Sequence, residues 1–423
     1  MTPTWLSAPL TLPCGVVLAN RLCKAAMSEG MADPDGRATP RLETLYRRWA
    51  HSGAGLLLSG NIQVDHMHLE RPLNVVAGDD AGLEALTRLA TAGRSGGAQF
   101  WAQIAHTGRQ VHSAINGAPL APSSVEIEVM RSVGYEFAAP RAMSDQDILH
   151  AIGQFAAAAA RVEAAGFTGV QLHAAHGYLI SQFLSPHANQ RADRWGGTLE
   201  NRFRFLIETL AAVREAVGPA FPLSIKLNAS DFMKGAFTLA DCAALIARLN
   251  DTTPDLLELS GGSLEQPKQV GVAIRDEGED ARPASTRKRE AYFIEFAGAL
   301  KAVARMPVMV TGGFRTVAGM IEALENGELD VVGLGRPMIA DPETPRKILA
   351  GQIEKTLTPE TNINLFHLLG WNNMQLERLA DGLDPDLDVS GEDAASRFAE
   401  LEQGNFQVLL QRRGAVAAVL TDP

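Results

Sequence analysis

The sequence predicts an α/β protein, namely a (β/α)₈ or TIM barrel with an N-terminal hairpin and a helical C-terminal extension. Short β-branched and aliphatic segments alternate with longer segments of helical periodicity, and eight strand segments can be marked. Such alternation is typical of parallel strands joined by helical crossovers, and eight strands close a barrel. An open, doubly wound sheet is the alternative architecture. The predicted strands are Leu22–Met27, Gly55–Ile62, Ala98–Ala105, Gly169–Ala174, Leu223–Asn228, Leu256–Ser260, Val308–Thr311 and Val331–Leu334.

Helical periodicity predicts the crossovers between these strands, and several carry start and stop signals. Ser144 and Thr198 each place a hydroxyl side chain just before a helical segment, where it can accept a backbone N–H. Gly166 and Gly218 end two of the segments. The predicted helices are Thr39–Ser52, Ser144–Ala165, Thr198–Val217, Leu239–Asn250 and Glu290–Ala304.

Segments outside this alternation define the predicted organisation of the chain. Residues 10–21 are expected to form a small hairpin that plugs the bottom of the barrel, and the alternation stops after Asp341. We therefore predict two parts: a barrel over residues 1–345 and a helical C-terminal extension over residues 346–423. Helices are expected at Leu365–Leu379 and Glu392–Leu410 within the extension.

Two long segments of weak periodicity, residues 108–140 and 261–288, each follow a predicted strand. In a barrel, loops that follow strands lie at the catalytic face. Long loops in compact domains are usually lids or binding loops, with a disordered surface insertion as the alternative for the second.

Composition narrows the class of protein. The 423 residues are 46% hydrophobic and carry a net charge of −11 with no basic face, which disfavours a nucleic-acid partner. Three widely spaced cysteines fit a reducing compartment and provide no iron–sulfur cluster. The first fifteen residues lack signal-peptide features, and no apolar segment reaches the roughly 20 residues of a membrane helix. A cytoplasmic location is expected, with no membrane contact.

The densest group of chemical side chains is His173, His176 and Tyr178, at the end of the fourth predicted strand. Where the strand ends and the chain turns, this spacing brings both imidazoles and the phenol over the barrel mouth. Three converging donors can hold a carbonyl oxygen, and a phenol can deliver a proton. A metal pair and structurally satisfied histidines are the alternatives.

Two glycine-rich segments, Thr311–Arg315 and Gly333–Pro337, follow the seventh and eighth predicted strands. Loops in these positions commonly hold phosphate, because glycines let backbone N–H groups approach the oxygens. Arg336 can add a charge-assisted contact. Ordinary glycine turns are the alternative.

Two further polar side chains lie at predicted strand ends. Lys226 is costly there unless it meets an anion, such as the electron-rich side of a flavin or the carboxylate of Glu258. Gln103 can hydrogen-bond the edge of a ring, or it can be an ordinary buried amide.

These motifs resemble the old yellow enzyme family of NAD(P)H:flavin oxidoreductases. The resemblance covers about residues 5–350, and its most specific block is His173–Arg202. The segments that carry it are Asn20–Arg21, Gln103–Arg109, His173–Pro186, Asn189–Arg202 and the two glycine-rich loops.

The resemblance implies non-covalent FMN and a hydride that passes from NADH or NADPH through the flavin to an activated alkene. His173 and His176 would then bind the carbonyl oxygen of a small electrophilic substrate, and Tyr178 would protonate the α-carbon of that substrate. Lys226 stands where most members have arginine. The residues implied to contact FMN are Ala25, Met27, Gly60 or Asn61, Gln103, Lys226, Gly312, Gly313, Gly335 and Arg336.

The sequence also departs from the family pattern. Ser28 stands where many members place a flavin-tuning Cys or Thr, and Gly30 stands where an active-site Tyr is often found. The C-terminal extension is longer than single-domain members need and could form a dimer contact or cover the active-site mouth. A metal-dependent barrel hydrolase and a flavin-binding protein without turnover are the alternative functions. The sequence leaves the substrate, the choice of nicotinamide and a homo-oligomeric state open.

Overall fold

The computed structural model describes residues 4–128, 136–252, 254–262, 265, 294–364 and 367–421. Eight strands close into a parallel barrel in which every strand pairs with the next barrel strand along the chain and the last pairs with the first. This confirms the predicted barrel and excludes the open sheet. The barrel strands are β3 (Leu22–Lys24), β4 (Leu56–Gln63), β5 (Gln99–Ala105), β8 (Gly169–Ala174), β9 (Leu223–Asn228), β10 (Leu256–Ser260), β11 (Val308–Thr311) and β12 (Val331–Leu334).

Four short strands lie outside the barrel. β1 (Leu10–Thr11) and β2 (Val17–Leu18) form the predicted antiparallel hairpin, and β6 (Leu120–Ala121) pairs with β7 (Arg141–Ala142) in the long loop after β5. Leu12 and Leu18 of the hairpin pack against the lowest inward-facing residues of the barrel, including Leu56 and Trp101. The hairpin therefore closes the bottom of the barrel, as predicted, and each fully buried leucine contributes about 1.5–3 kcal/mol.

Helices cover the outside of the barrel, and the predicted capping signals form. Ser144 accepts the Asp147 N–H at 3.1 Å, while the Asp147 carboxylate accepts the Ser144 N–H at 2.8 Å. Gly218 ends the helix before it with a φ of +71°. The helices up to the last barrel strand are α1 (Thr4–Ser7), α2 (Pro40–Ala50), α3 (Leu83–Arg94), α4 (Asp145–Ala164), α5 (Leu179–Leu184), α6 (Leu199–Val217), α7 (Leu239–Leu249), α8 (Ile294–Lys301) and α9 (Val317–Glu325).

The secondary-structure elements that the structure describes after β12 are helices. The helices are α10 (Arg336–Ala340), α11 (Thr344–Leu349), α12 (Leu368–Ala380) and α13 (Gly391–Thr421). The last helix is longer than predicted. Arg41 of α2 forms ion pairs with Glu377 of α12 and with Asp381 directly after it, both at 2.7 Å, so the extension is fixed to the barrel side.

Parts of two predictions lie outside the described residues. Within the predicted loop over residues 261–288, the structure describes residues 261, 262 and 265, and within the predicted helix Glu290–Ala304 it describes the chain from residue 294 onward. Among the helices that the structure describes, none has the length and apolar character needed to cross a membrane.

Candidate active site

The structure brings together the three predicted ring side chains at the C-terminal end of β8. The His173 ring centroid lies 4.7 Å from that of Tyr178 and 5.0 Å from that of His176. The strand ends at Ala174, and the chain then reverses through His176 and Gly177, whose φ angles are +61° and +78°. A non-glycine residue in the left-handed region is uncommon, so the surrounding structure holds the backbone of His176 in this turn.

Both imidazoles are neutral hydrogen-bonding groups. Burial, followed by the positive charge of Lys226, holds the pKa of His173 and that of His176 well below the ordinary value. Nδ1 of His173 accepts the Ala175 N–H at 3.3 Å, so the ring proton lies on Nε2. Nε2 of His176 lies 2.8 Å from Oγ of Ser260. His173 can therefore donate a hydrogen bond to a ligand oxygen without carrying a charge.

A chain of polar side chains crosses the barrel interior beneath these rings. Lys226, the register neighbour of His173, lies with Nζ 2.9 Å from Oε1 of Glu258. Gln171 donates to Oε2 of Glu258 at 2.9 Å and accepts from Nε2 of Gln103 at 2.7 Å. Within the protein, the anion that Lys226 contacts is thus Glu258, one of the two anions that the sequence analysis considered. Sequence reasoning missed Gln171, whose only signal was its inward position two residues before His173.

The backbone of Gly60 forms hydrogen bonds with a buried cluster that contains Glu29 and Tyr46. Its N–H lies 3.0 Å from Oε1 of Glu29 and 2.7 Å from the Tyr46 hydroxyl. The register of β4 against β5 shifts between Leu58 and Asn61, and Nζ of Lys24 donates to the Leu58 carbonyl at 2.7 Å. A Cβ at position 60 would lie 1.9 Å from the Glu29 carboxylate, so only glycine fits.

The Lys24–Glu29 cluster lies fully inside the protein. Burial lowers the pKa of Lys24 to about 8, while the Glu29 charge opposes that shift. Burial likewise raises the pKa of Glu29, with Lys24 opposing. Ala25, between them, donates its N–H to the Leu334 carbonyl at 2.9 Å and joins the first barrel strand to the last. Nothing in the sequence indicates this cluster beyond a lysine and a glutamate five residues apart.

The two glycine-rich loops each contain an arginine, Arg315 and Arg336. Gly312 and Gly313 have φ angles of +123° and +84°, which favour glycine, and the atom nearest to a Cβ at Gly335 would be Sδ of Met27 at 3.9 Å. Burial lowers the pKa of Arg336; the nearby Glu360 opposes this shift, and Arg315 adds to it.

Glu360, which follows the barrel in sequence, reaches both of these cations. Nε of Arg315 donates to Oε1 of Glu360 at 2.6 Å, and Nη1 of Arg336 lies 3.9 Å from the same oxygen. Two guanidinium groups that converge on one carboxylate oxygen, beside the backbone of Gly335, are a donor set that fits a phosphate.

Ser28 is joined to the barrel mouth through a residue that the sequence did not indicate. Its hydroxyl donates to Oε2 of Glu70 at 2.6 Å, and Nδ2 of Asn61 donates to the same oxygen at 2.8 Å. Asn61 is the register neighbour of Gln103. The Ser28 hydroxyl and Gln103 therefore belong to one face of the site.

A separate cluster of Asp65, His68 and His106 lies beyond the ends of β4 and β5 and has the composition of a metal site. One nitrogen of each ring accepts a backbone N–H: Leu120 donates to Nε2 of His68 and Gly108 to Nδ1 of His106, each at 3.0 Å. The other nitrogen of each ring therefore carries the proton, and Nδ1 of His68 donates to Asp65 at 2.8 Å. This arrangement favours a buried hydrogen-bond network rather than a metal centre.

Comparisons with known proteins agree with this geometry. A model of the NADH:flavin oxidoreductase / NADH oxidase family matches residues 6–355. An NADH-dependent flavin oxidoreductase of Aspergillus parasiticus is 33% identical over 399 residues, which are 91% of this chain and 87% of the relative.

Two solved structures extend the likeness to the fold. A 2-naphthoyl-CoA reductase in complex with 2-naphthoyl-CoA superposes with a TM-score of 0.79 and 26% identity, over 90% of this chain. The match spans 58% of that protein, so it is considerably longer than this chain. An old yellow enzyme homologue of Zymomonas mobilis superposes with a TM-score of 0.69 and 25% identity, over 84% of this chain and 95% of the homologue.

The glycine loops, the paired arginines and the interior amides fit FMN, which the family uses. With a barrel of the same architecture and a family match over most of its length, the chain belongs to the NADH:flavin oxidoreductase / NADH oxidase family of FMN-dependent enzymes, of the old yellow enzyme type.

Proposed function

We propose that this enzyme reduces an activated alkene, such as an enone, with a nicotinamide as the source of hydride. The observation that supports this most directly is the convergence of His173, His176 and Tyr178, with ring centroids 4.7 and 5.0 Å apart, at the C-terminal end of a barrel strand. Active sites of barrel enzymes lie at this face. The relative from Aspergillus parasiticus is described as NADH-dependent, which makes NADH the first donor to test and NADPH the second.

In this proposal FMN, when bound, supplies hydride transfer between the nicotinamide and the acceptor. The phosphate is assigned to Gly312, Gly313, Gly335 and Arg336, and the pyrimidine side of the ring to Gln103 and Lys226. Backbone groups of Ala25, Met27 and Gly60 are assigned to the remaining ring edge. Support comes from the space in front of Gly335, from the positive φ angles of Gly312 and Gly313, and from the buried cluster that fixes Gly60.

The protein's own side chains handle the oxygen and the proton. Nε2–H of His173 donates to the carbonyl oxygen of the acceptor, with His176 as the second ring against that oxygen. Because both rings are neutral, they polarise the carbonyl without giving up a full proton. Reduction of the alkene adds one hydride and one proton, and the Tyr178 hydroxyl supplies the proton to the α-carbon.

Anaerobic half-reactions test this proposal. The FMN-loaded enzyme should lose its flavin absorbance on addition of NADH or NADPH and regain it on addition of one equivalent of an enone, with the saturated ketone as product. Quinones and nitro compounds in the same titration compare other electrophiles. Recovery with quinones alone would contradict alkene reduction, and failure of both nicotinamides to bleach the flavin would indicate flavin binding without turnover.

A further inference from the structure

The side chains of the consecutive residues Glu70 and Arg71, in the loop after β4, point in opposite directions and form hydrogen bonds with different parts of the protein. The Glu70 carboxylate faces the barrel mouth, where it accepts from Ser28 at 2.6 Å and from Asn61 at 2.8 Å. The Arg71 guanidinium faces the C-terminal helices, where it donates to Asn373 of α12 at 2.5 Å and to Glu402 of α13 at 2.6 Å. This loop therefore joins the C-terminal helices to the site.

The contact with Glu70 determines whether the Ser28 hydroxyl can donate a hydrogen bond to a ligand. A serine has one proton, and a carboxylate at 2.6 Å is a stronger acceptor than the Asn61 carbonyl at 3.1 Å. The Ser28 proton therefore belongs to Glu70, and the hydroxyl has no second proton to donate to a ligand. A negative charge and a hydroxyl without a free proton both disfavour the addition of electrons to a neighbouring ring.

The outward contact keeps the loop in place. Arg71 is 9% exposed, so its charge needs partners within the protein, and the Phe398 ring centroid lies 4.9 Å from its Cζ. A Cβ at Gly30 would lie 2.8 Å from that Cζ, so the guanidinium fills the space into which a side chain at position 30 would project. Asn373, Phe398 and Glu402 all lie beyond residue 355, where the family match ends.

We propose that α12 and α13 position Glu70 through Arg71 and thereby set the midpoint potential of the bound flavin. Glu70 and Arg71 act as positioning residues in this assignment, since neither needs to touch the substrate. If Arg71 loses its partner Glu402, the carboxylate that acts next most strongly on its charge is Glu70, ahead of Glu377. An Arg71–Glu70 pair draws the carboxylate away from Ser28, returns the hydroxyl proton to the site and favours the reduced flavin.

The test is the midpoint potential of the FMN-loaded protein in anaerobic dye equilibration, measured for Glu402→Gln and for Glu400→Gln. Glu400 is exposed on the same helix, two residues away, so its variant removes the same charge without touching Arg71. We expect E402Q to raise the reduced-to-oxidised ratio at a fixed potential at least threefold and E400Q to leave it unchanged. Melting temperatures of both variants show whether the fold is retained, and Asn373→Leu, which removes the other acceptor of Arg71, should shift the potential in the same direction.

A Glu70→Gln background separates positioning from direct electrostatics. E70Q alone should raise the potential, and E402Q should add nothing to it, because the residue through which it acts is already neutral. An unchanged potential in E402Q, an equal shift in E400Q or a full additional shift in E70Q/E402Q would each overturn the proposal. These readouts need only bound FMN, so they are independent of whether an enone is the acceptor.

Discussion

Lys226 and Glu258 form an ion pair inside the barrel, with Nζ and Oε1 2.9 Å apart and side chains 5% and 0% exposed. Both charges lie within the packed interior, where neither can be hydrated. Gln171 donates to the second carboxylate oxygen, so Glu258 keeps one partner if the lysine is removed. Such a pair is costly to break on one side only, because the remaining charge stays buried.

Lys226→Met should therefore lower the free energy of unfolding by about 3–5 kcal/mol in urea denaturation. The double variant K226M/E258Q should recover most of that loss, because it leaves no isolated charge. A double variant as unstable as the single one would show that packing, rather than the charge, decides the outcome. FMN titration of the double variant then measures what Lys226 contributes to cofactor binding apart from stability.

Tyr178→Phe separates the two half-reactions. The substitution removes the hydroxyl and keeps the ring against His173. Reduction of the flavin by the nicotinamide should be unchanged, whereas oxidation by an enone should slow by about 10²–10⁴-fold, the usual contribution of a positioned proton donor. Rapid-mixing absorbance of each half-reaction measures this. An equal slowing of both would remove Tyr178 from the role of proton donor.

The barrel and the His173–Tyr178 triplet could be predicted because their signals are local. Alternating strands and helices, and a short motif at a strand end, are readable within a few residues. The partners that complete the site are not local: Glu258 meets Lys226, and Glu70 meets Ser28, only because the barrel closes. The Arg71 contacts join positions separated by 302 and 331 residues, and no periodicity encodes them.

The lowered pKa values of His173 and His176 predict that neither ring gains a proton near neutral pH. The cause is burial, with Lys226 adding to it. In NMR spectra of protein with labelled histidine, their ring resonances should keep the shifts of the neutral form from about pH 8 to about pH 6, below the ordinary midpoint of about 6.5. His173→Asn and His176→Asn assign the two resonances. A midpoint near 6.5 for either ring would contradict the neutral donor role.

Gly60→Ala should weaken FMN binding through the backbone. A Cβ there would lie 1.9 Å from the Glu29 carboxylate and 2.5 Å from the Met27 carbonyl, so β4 has to shift at the point where its register already changes. We expect at least a tenfold rise in the FMN dissociation constant by fluorescence titration, equal to about 1.4 kcal/mol. Gly117→Ala is the matched control, since nothing lies within 4 Å of its added Cβ. Equal effects of the two substitutions would argue against a specific role for Gly60.

The lowered pKa of His106 predicts how the stability of the protein changes in acid. Burial, with the neighbouring His68 adding to it, lowers the pKa of His106 to about 3, below its value of about 6.5 in the unfolded chain. Between these values the unfolded chain binds the extra proton, so the contribution of His106 to stability is complete above about pH 6.5 and declines as the pH falls toward about 3. The slope reaches about 1.4 kcal/mol per pH unit for one proton.

His106→Gln keeps an acceptor for the Gly108 N–H but cannot titrate, so the stability difference between wild type and variant should shrink from about pH 6.5 to about pH 4.5 in urea unfolding. The exposed His51→Gln, directly after α2, is the control because His51 does not contribute to the His106 shift, and wild-type and H106Q curves that run parallel across this interval would contradict the assignment.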